Sequence, residues 1–280
     1  MSADLLALQL SLRDRRQPHA LATVVEILGS SSAKPSAKAV FDAEGRLLAG
    51  WIGGGCAQTM VAEAALLCLQ SGESCVIDID LNDEVFGAGM PCGGSMRVYV
   101  EPVLPRPMLW LMGHGRIVES LCEFAHKVGF DVTVIDNQAT PERLPAAARV
   151  VNEHIRYDAL QPEAGDYVVI ASHHKGDYDS LSRALASGAG YVALVSSRTR
   201  AKLVIDRLRQ EGCDEAHLGR VRAPAGLNLA AKLPEEIALS IVAEMVSMRR
   251  GGGGGSLAES GPAESPRQSL KLVNCIGCSN

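Results

Sequence analysis

The fold of this chain is decided by residues 108–136, which read MLWLMGHGRIVESLCEFAHKVGFDVTVID. An apolar strand ends in Gly113–Gly115, a helix follows, and a second strand ends in Asp136. Two glycines at such a turn let the backbone approach a pyrophosphate at the helix N-terminus, and an acidic residue about 20 positions on binds a ribose hydroxyl. Val118 stands where a third glycine would complete the pattern. The stretch predicts a Rossmann turn that binds NAD or FAD, holds a different phosphate compound, or is empty.

The alternation of strand and helix continues after this stretch. The patterns predict strands at 166–172 and 190–197, and helices at 177–188, 197–212 and 235–250. Repeated βα units imply a parallel sheet with helices on both faces. We therefore expect a doubly wound Rossmann-like domain over residues 104–250.

The region before this domain has a different pattern. It predicts helices at 3–16 and 56–69, a hairpin turn at 43–46, and strands at 21–28, 38–42, 47–52, 75–81 and 96–103. Three prolines within residues 102–107 indicate a linker. We expect a small N-terminal α/β domain over residues 1–103.

Residues 251–280 begin GGGGGSLAESGPAESPRQ, a composition typical of a flexible tail. The tail ends in the CxxC pair Cys275 and Cys278. This pair is either a sulfur or metal relay arm or two idle thiols at an unstructured end.

Composition narrows the class of protein. Hydrophobic residues make up 47% of the chain, aromatic residues 4%, and the net charge is −5 without a basic stripe. These values favour an aliphatic α/β core and exclude a typical nucleic-acid binder. We find no signal-peptide pattern and no apolar run of membrane-spanning length, so we expect a cytoplasmic protein whose eight cysteines are mostly thiols.

Two cysteines have glycine neighbours. Cys56 follows Gly53, Gly54 and Gly55 at the start of a helix, and Cys92 precedes Gly93 and Gly94. Glycine-rich turns expose backbone amides that suit an anion, and a helix N-terminus lowers the pKa of a thiol. We interpret both cysteines as reactive or metal-contacting. Burial as small hydrophobic residues fits the other cysteines of helix and strand patterns better, namely Cys68, Cys75, Cys122 and Cys213.

Two further segments follow predicted strands. His173 and His174 stand at the sheet edge where doubly wound folds bind ligands, or else are surface residues. Ser197, Arg198 and Arg200 open a helix, where they would either clamp a phosphate or cap the helix with solvated arginines.

Together these motifs resemble the XdhC/CoxI accessory proteins of xanthine dehydrogenase and carbon monoxide dehydrogenase maturation. The resemblance covers most of residues 1–247, in family order. Its segments are TVVEILGSSSAKPSAKAVF (23–41), GWIGGGCAQ (50–58), GMPCGGSMRVYVEPV (89–103), LMGHGRIVESLCEFAHKVGFDVTVID (111–136), VVIASHHKGDYDSL (168–181), YVALVSSRTRAKLVIDRLRQEG (191–212) and APAGLNLAAKLPEEIALSIVAEMV (223–246).

The resemblance implies a chaperone that binds the molybdenum cofactor, a molybdopterin that often carries a nucleotide. It further implies sulfuration of the cofactor with sulfur from a cysteine desulfurase, and insertion into an apo molybdenum hydroxylase of the xanthine oxidase class. Cys56 and Cys92 would contact the molybdenum or the transferred sulfur. The Gly113 turn and Ser197–Arg200 would bind the phosphate or nucleotide. We also expect a homodimer.

Three positions depart from the family pattern. Gln58, Arg116 and Asn228 stand where the family often has Glu, His and Asp. Because each change removes an acidic group or a titratable imidazole, we expect this member to be a binder more than a catalyst. The alternatives are an NAD(P)-dependent oxidoreductase and a pure protein adaptor between desulfurase and client.

Overall fold

The computed structural model describes residues 3–81, 94–152, 160–163, 165–172, 177–258 and 271–272. It divides into two compact units. Unit 1 comprises residues 1–105 and 262–280, and unit 2 comprises residues 106–261.

The described residues of unit 1 form a six-stranded sheet with two helices packed against it. In sheet order the strands are β12-β4-β5-β1-β2-β3, and every pairing except that of β12 with β4 is antiparallel. The elements are α1 (Ala3–Asp14), β1 (His19–Gly29), β2 (Lys38–Asp42), β3 (Leu47–Gly50), α2 (Cys56–Ser71), β4 (Cys75–Asp80), β5 (Gly94–Val103) and β12 (Lys271–Leu272).

Alternating burial explains strands β4 and β5 of unit 1. In β4, Cys75, Ile77 and Ile79 are buried, whereas Asp78 and Asp80 are exposed. Such alternation is what a strand with one covered face requires. The covering element is α2, whose small buried side chains, Ala57, Val61, Ala64 and Ala65 among them, share one core with the sheet.

Unit 2 is a parallel sheet. Its described strands lie in the order β11-β10-β9-β6-β7-β8, and all five pairings are parallel. In chain order this is the 3-2-1-4-5-6 arrangement of dinucleotide-binding folds, with the topological switch point between β6 and β9. The elements are β6 (Met108–Gly113), α3 (Arg116–Lys127), β7 (Asp131–Ile135), β8 (Arg149–Val151), β9 (Tyr167–Ala171), α4 (Asp177–Ala186), β10 (Tyr191–Leu194), α5 (Arg198–Gln210), α6 (Glu215–Leu218), β11 (Val221–Arg222) and α7 (Pro234–Arg250).

Helices α3 and α7 cover part of this sheet with matching apolar stripes. Each buries residues at positions i, i+3, i+4 and i+7, which is the spacing of one helix face. The stripes are Val118, Leu121, Cys122 and Ala125 in α3, and Ala238, Ile241, Val242 and Met245 in α7, all in one core cluster. Arg116 and Glu235 form an ion pair of 2.8 Å between the first turns of the two helices.

The predicted α/β class with a Rossmann-like second sheet is confirmed. The sequence patterns missed β8, α6, β11 and β12. Strand β3 ends at Gly50, two residues earlier than predicted, whereas β5 ends at Val103 as predicted and begins at Gly94, two residues earlier than predicted. Lys271 and Leu272 pair with β4, although the composition of the tail predicted flexibility there.

Candidate functional site

The candidate residues of unit 2 follow the carboxyl ends of its parallel strands. Gly113 ends β6, Asp136 follows β7, and Ser197 lies three residues after the end of β10. Because parallel strands end at one edge of the sheet, these positions share the edge at which open α/β sheets bind ligands.

Backbone geometry and packing within the chain explain why the first residue of the turn is a glycine. Gly113 has a φ of 133°, and a Cβ atom there would overlap the carbonyl oxygen of Ala171 in β9. Gly115 is the N-cap of α3 with a φ of 88° and makes no side-chain capping hydrogen bond. The turn is therefore built on backbone geometry that other residues adopt at a cost.

Asp136, the expected ribose acceptor, is already engaged by its own chain. Its Oδ1 atom lies 3.0 Å from Nδ1 of His114 and accepts a hydrogen bond of 2.8 Å from the amide of Gln138. Sequence spacing could place Asp136 at this edge, but the side-chain contact with His114 depends on the turn geometry.

The start of α5 is held by two different contacts. Ser197 caps the helix, with its Oγ accepting from the amide of Arg200 at 3.2 Å. The Nε atom of Arg200 lies 3.4 Å from Oδ2 of Asp177, a carboxylate that is only 2% exposed. The Oγ atom of Ser172 donates to Oδ1 of the same carboxylate at 2.5 Å. Arg198 is exposed beside this group.

The segment that follows β11 also reaches this edge, although the sequence motifs predicted no site residue in it. The amide of Ala225 donates to the carbonyl of Leu194 at the end of β10, at 3.1 Å. Glu244 in α7 accepts from the amide of Gly226 at 3.0 Å and from the hydroxyl of Tyr191 at 2.6 Å. Burial, followed by the hydrogen bond to Glu244, raises the pKa of Tyr191 well above its usual value. Only the family resemblance of this segment pointed to it.

In unit 1 the N-terminus of α2, which follows a glycine turn, is open. Gly53 and Gly55 have φ angles of 115° and 55°, and Gly55, the N-cap, makes no side-chain capping hydrogen bond. Cβ atoms built on Gly54 and Gly55 meet no atom of the described residues within 4 Å, and the first turn of α2 carries no acidic residue. Uncapped amides at the positive end of a helix suit an anion.

Gly94, the first residue of β5, is tightly packed instead. A Cβ atom there would lie 2.5 Å from the carbonyl oxygen of Leu28 and 2.6 Å from that of Ser30. Its own carbonyl accepts from the amide of Leu81 at 2.9 Å. Backbone packing accounts for this glycine.

The N-terminus of α2 and Gly94 lie toward the same end of unit 1. The sulfur of Cys68 contacts the carbonyl of Val100 at 3.7 Å, which fixes the other end of α2 over β5. A link of three residues returns the chain from α2 into β4, so α2 runs antiparallel to β4 and in the direction of β5. The twelve residues back to Cys56 span about 18 Å of helix. The six residues back to Gly94 span about 20 Å of strand.

Several predicted site residues lie outside the described residues. These are Cys92, Gly93 and His173, together with the side chain of Cys56. The part of the chain that is described brings no group of three or more His, Cys, Asp or Glu residues into a metal-binding arrangement. Among its helices, none has both the length and the apolar character needed to cross a bilayer.

Three of the four cysteines that the sequence patterns assigned to the core are buried. Cys68, Cys75 and Cys122 are buried and Cys213 is partly exposed. Burial, with a smaller contribution from Glu123, raises the pKa of the Cys122 thiol from 9.0 to about 11. Cys122 is therefore a neutral core residue near neutral pH.

The strand order and the glycine turn of unit 2 define a Rossmann-type α/β protein. The description "XdhC Rossmann domain" matches residues 109–245, and "XdhC and CoxI family" matches residues 12–80. The chain belongs to the XdhC and CoxI family.

Curated relatives extend the comparison. The chain is 29% identical to "Uncharacterized protein YqeB" of Escherichia coli K12 over 95% of its length and 50% of the relative's. It is 28% identical to a probable xanthine dehydrogenase subunit of Bacillus subtilis 168 over 56% of this chain and 47% of that protein. It is 22% identical to "Molybdenum cofactor insertion chaperone PaoD" of Escherichia coli K12, over 82% and 83% of the two chains.

The chain therefore spans about half the length of the first two relatives. A solved crystal structure of a xanthine dehydrogenase from Bacillus halodurans aligns with this chain over 91% of this chain and 97% of the chain in that structure. The TM-score of this alignment is 0.47 at 22% sequence identity.

Proposed function

We propose that the chain is a chaperone that binds the molybdenum cofactor during maturation of a xanthine dehydrogenase-type enzyme. The proposal is supported by membership of the XdhC and CoxI family and by similarity to a relative named as a molybdenum cofactor insertion chaperone. The cofactor is cargo in this role, so the chain has to hold it and release it.

The observation that carries the proposal is the open, uncapped N-terminus of α2. The cofactor bears a phosphate, and a helix N-terminus with exposed amides and no acidic neighbour is a suitable partner for it. Gly53, Gly54 and Gly55 leave room for that approach. The residues that are present thus fit one part of the cofactor.

The molybdenum and sulfur atoms of the cofactor are soft and need a soft ligand. Thiolates bind soft metals and accept or donate sulfur more readily than oxygen ligands do. We propose that Cys56 contacts the molybdenum or the transferred sulfur, with Cys92 beside it. Support comes from the position of Cys56 at the uncapped helix start and of Gly94, two residues after Cys92, toward the same end of unit 1.

In unit 2 we propose that Gly113, Gly115, Ser197, Arg198 and Arg200 meet the phosphate or a nucleotide carried by the cofactor. Asp136 and His173 complete this set.

The finer steps belong to the same proposal. A cysteine desulfurase would supply sulfur, and an apo molybdenum hydroxylase would receive the loaded cofactor. We propose a homodimer as the working form, which light scattering of the purified protein tests directly.

The decisive experiment uses protein purified anaerobically from a molybdenum-replete host. Molybdenum is measured by elemental analysis, and the pterin is released by acid and measured by its fluorescence after oxidation. We expect molybdenum and pterin together, with both reduced in Cys56→Ala and Cys92→Ala while circular dichroism stays unchanged.

Three results would redirect the proposal. Protein that still lacks molybdenum and pterin after purified cofactor is added, but forms complexes with desulfurase and client, would be an adaptor. Saturable NADH binding in place of pterin would support an oxidoreductase. Normal loading in the Cys56→Ala/Cys92→Ala double variant would remove the thiols from the site.

A further inference from the structure

Two cysteines that the proposed function does not use lie side by side in unit 1. Cys68 is near the end of α2 and Cys75 opens β4, and their Sγ atoms are 3.3 Å apart. Both are thiols in this structure. We propose that Cys68 and Cys75 form a redox-active dithiol, which a peroxide converts into an intramolecular disulfide.

The geometry is close to that of the product. A disulfide has a sulfur–sulfur distance of about 2.05 Å, so the two atoms need to approach by little more than about 1 Å. The link of three residues, Gly72–Ser74, already holds the end of α2 against the start of β4. Side-chain rotation therefore has to supply only a short movement.

The pair lies directly below an exposed surface. Cys68 and Cys75 are 2% and 5% exposed, but Ser71, Gly72 and Glu73 between them are exposed. Helix ends and short links open locally at less free-energy cost than the centre of a core. A small peroxide reaches the sulfurs through such an opening more readily than a bulky disulfide reagent.

The two thiols have different roles. The hydrogen bond between the Cys68 and Cys75 side chains, opposed by burial and aided by the Cys75 amide, lowers the pKa of the Cys68 thiol. The thiolate is the nucleophilic form of cysteine. In the proposed reaction Cys68 is the attacking residue and Cys75 the resolving residue, and the pairing itself follows from the 3.3 Å separation of their sulfur atoms.

The reaction balances with hydrogen peroxide as the oxidant. The Cys68 thiolate attacks one peroxide oxygen, the O–O bond breaks, and the departing hydroxide takes up a proton to become water. Cys68 is then a sulfenic acid. The Cys75 sulfur attacks the Cys68 sulfur, the S–O bond breaks, and hydroxide leaves as water with the Cys75 proton. Two thiols lose two electrons, and one peroxide becomes two waters.

Cys122 is the matched comparison. It is as buried as Cys68, at 1% exposure, but burial raises the pKa of its thiol to about 11. It should therefore react with peroxide at least about tenfold more slowly than the pair. This expectation concerns the thiols alone and does not depend on the proposed cofactor site.

The sequence permits a clean assignment by mass spectrometry. Trypsin releases residues 47–97 as one peptide, because no Lys or Arg lies between Arg46 and Arg97. Cleavage after Glu63, Glu73 and Glu84 by Glu-C then separates all four cysteines of that peptide. Folded protein is treated with hydrogen peroxide, the remaining thiols are alkylated, and the digest is searched for residues 64–73 linked to 74–84.

We expect this linked peptide to accumulate while Cys122 is still alkylated, and to be lost after dithiothreitol. In Cys75→Ser, Cys68 should instead be trapped by dimedone as a sulfenic acid. The proposal is overturned if Cys68 and Cys75 remain alkylated after Cys122 has been oxidised. It is also overturned if the link forms no faster in folded protein than in urea-unfolded protein. The two results that would overturn the proposal are both measured on wild-type protein. Neither therefore depends on whether Cys75→Ser folds.

Discussion

Gly54 is the one glycine of the turn before α2 whose identity neither a positive φ nor a backbone contact explains. Positive φ angles account for Gly53 and Gly55, and backbone contacts account for Gly94. Gly54 has no positive φ, and within the described part of the chain no atom lies within 4 Å of its Cβ position. A ligand that approaches the backbone closely is the explanation that our proposed function supplies.

We therefore predict that Gly54→Ala folds normally but retains less cofactor. Alanine at an unstrained position costs no stability, and about 0.5 kcal/mol of stabilisation is the usual effect. A methyl group in the path of a phosphate should weaken its binding by at least about tenfold, since one lost hydrogen bond to a charged group is worth about 1.5–3 kcal/mol. Urea denaturation and the molybdenum-to-protein ratio after anaerobic purification measure the two effects.

Gly255→Ala is the matched control for this prediction. Gly255 also has open space around its Cβ position and no positive φ. Its substitution should leave cofactor retention at the wild-type level. Equal retention in both variants would mean that the α2 turn does not contact the cofactor.

Cys122 predicts a pH dependence of stability. Its pKa is raised by burial, so the folded state keeps the thiol neutral while the unfolded chain ionises it. The neutral thiol contributes fully below about pH 9, and the contribution is lost as the pH rises from 9 to 11. The free energy of unfolding should fall by about 2 kcal/mol more in wild type than in Cys122→Ala over that range. Urea denaturation at pH 8 and pH 11 gives the free energy of unfolding of both proteins at each pH. An equal fall in the two proteins would contradict the assignment.

Residue chemistry was predictable where it depends on neighbours in the chain. Helix and strand patterns predicted that Cys68, Cys75 and Cys122 are core residues, and they are buried. The 3.3 Å contact between Cys68 and Cys75 was not predictable, because it depends on how a helix end packs against a strand start. The contact between His114 and Asp136 is hidden from sequence for the same reason.

At the scale of elements, Ser197 illustrates a choice that sequence left open. As the N-cap of α5 it accepts a hydrogen bond from the Arg200 amide. We predict that Ser197→Ala lowers the free energy of unfolding by about 1 kcal/mol, whereas Ser197→Asp retains the cap. Urea denaturation measures both variants. An Ala variant as stable as wild type would show that the cap contributes little.

The segment that follows β11 provides a second prediction at this scale. Gly226 has a φ of 97°, and a Cβ atom there would overlap the Ser240 hydroxyl, which donates to the Ile237 carbonyl. Gly226→Ala should therefore destabilise the protein by about 3 kcal/mol, from backbone strain and overpacking together.

Gly129→Ala separates these two causes. Gly129 has a similar φ of 91°, but its Cβ position is open, so only the backbone strain of about 1 kcal/mol applies. Thermal unfolding of the two variants should differ by the steric contribution. Equal losses would mean that the segment moves away from α7 without cost.

The elements themselves were predictable to different degrees. Helices α3 and α7 follow from apolar residues at i, i+3, i+4 and i+7, a signal that extends over several turns. Strands β8 and β11 have three and two residues, too few for any period to be visible. They form because a neighbouring strand offers hydrogen bonds, which is tertiary information.

At the scale of the whole molecule, alternating strand and helix patterns predicted a parallel sheet in unit 2. They did not predict that β6 lies at its centre, because strand order depends on the direction of each crossover. The domain boundaries after residues 103 and 250 stay predictions. The edge at which Gly113, Asp136 and Ser197 meet follows from the strand ends alone.

The pairing of β12 with β4 has a consequence for biosynthesis. Cys75 and Lys271, which lie opposite each other in this pair of strands, are separated by all of unit 2 in the chain. A ribosome therefore releases β4 long before its outer neighbour exists, and during that interval β4 is an open edge of the nascent sheet. Nascent unit 1 is then most vulnerable to pairing with a second nascent chain while unit 2 is still being translated.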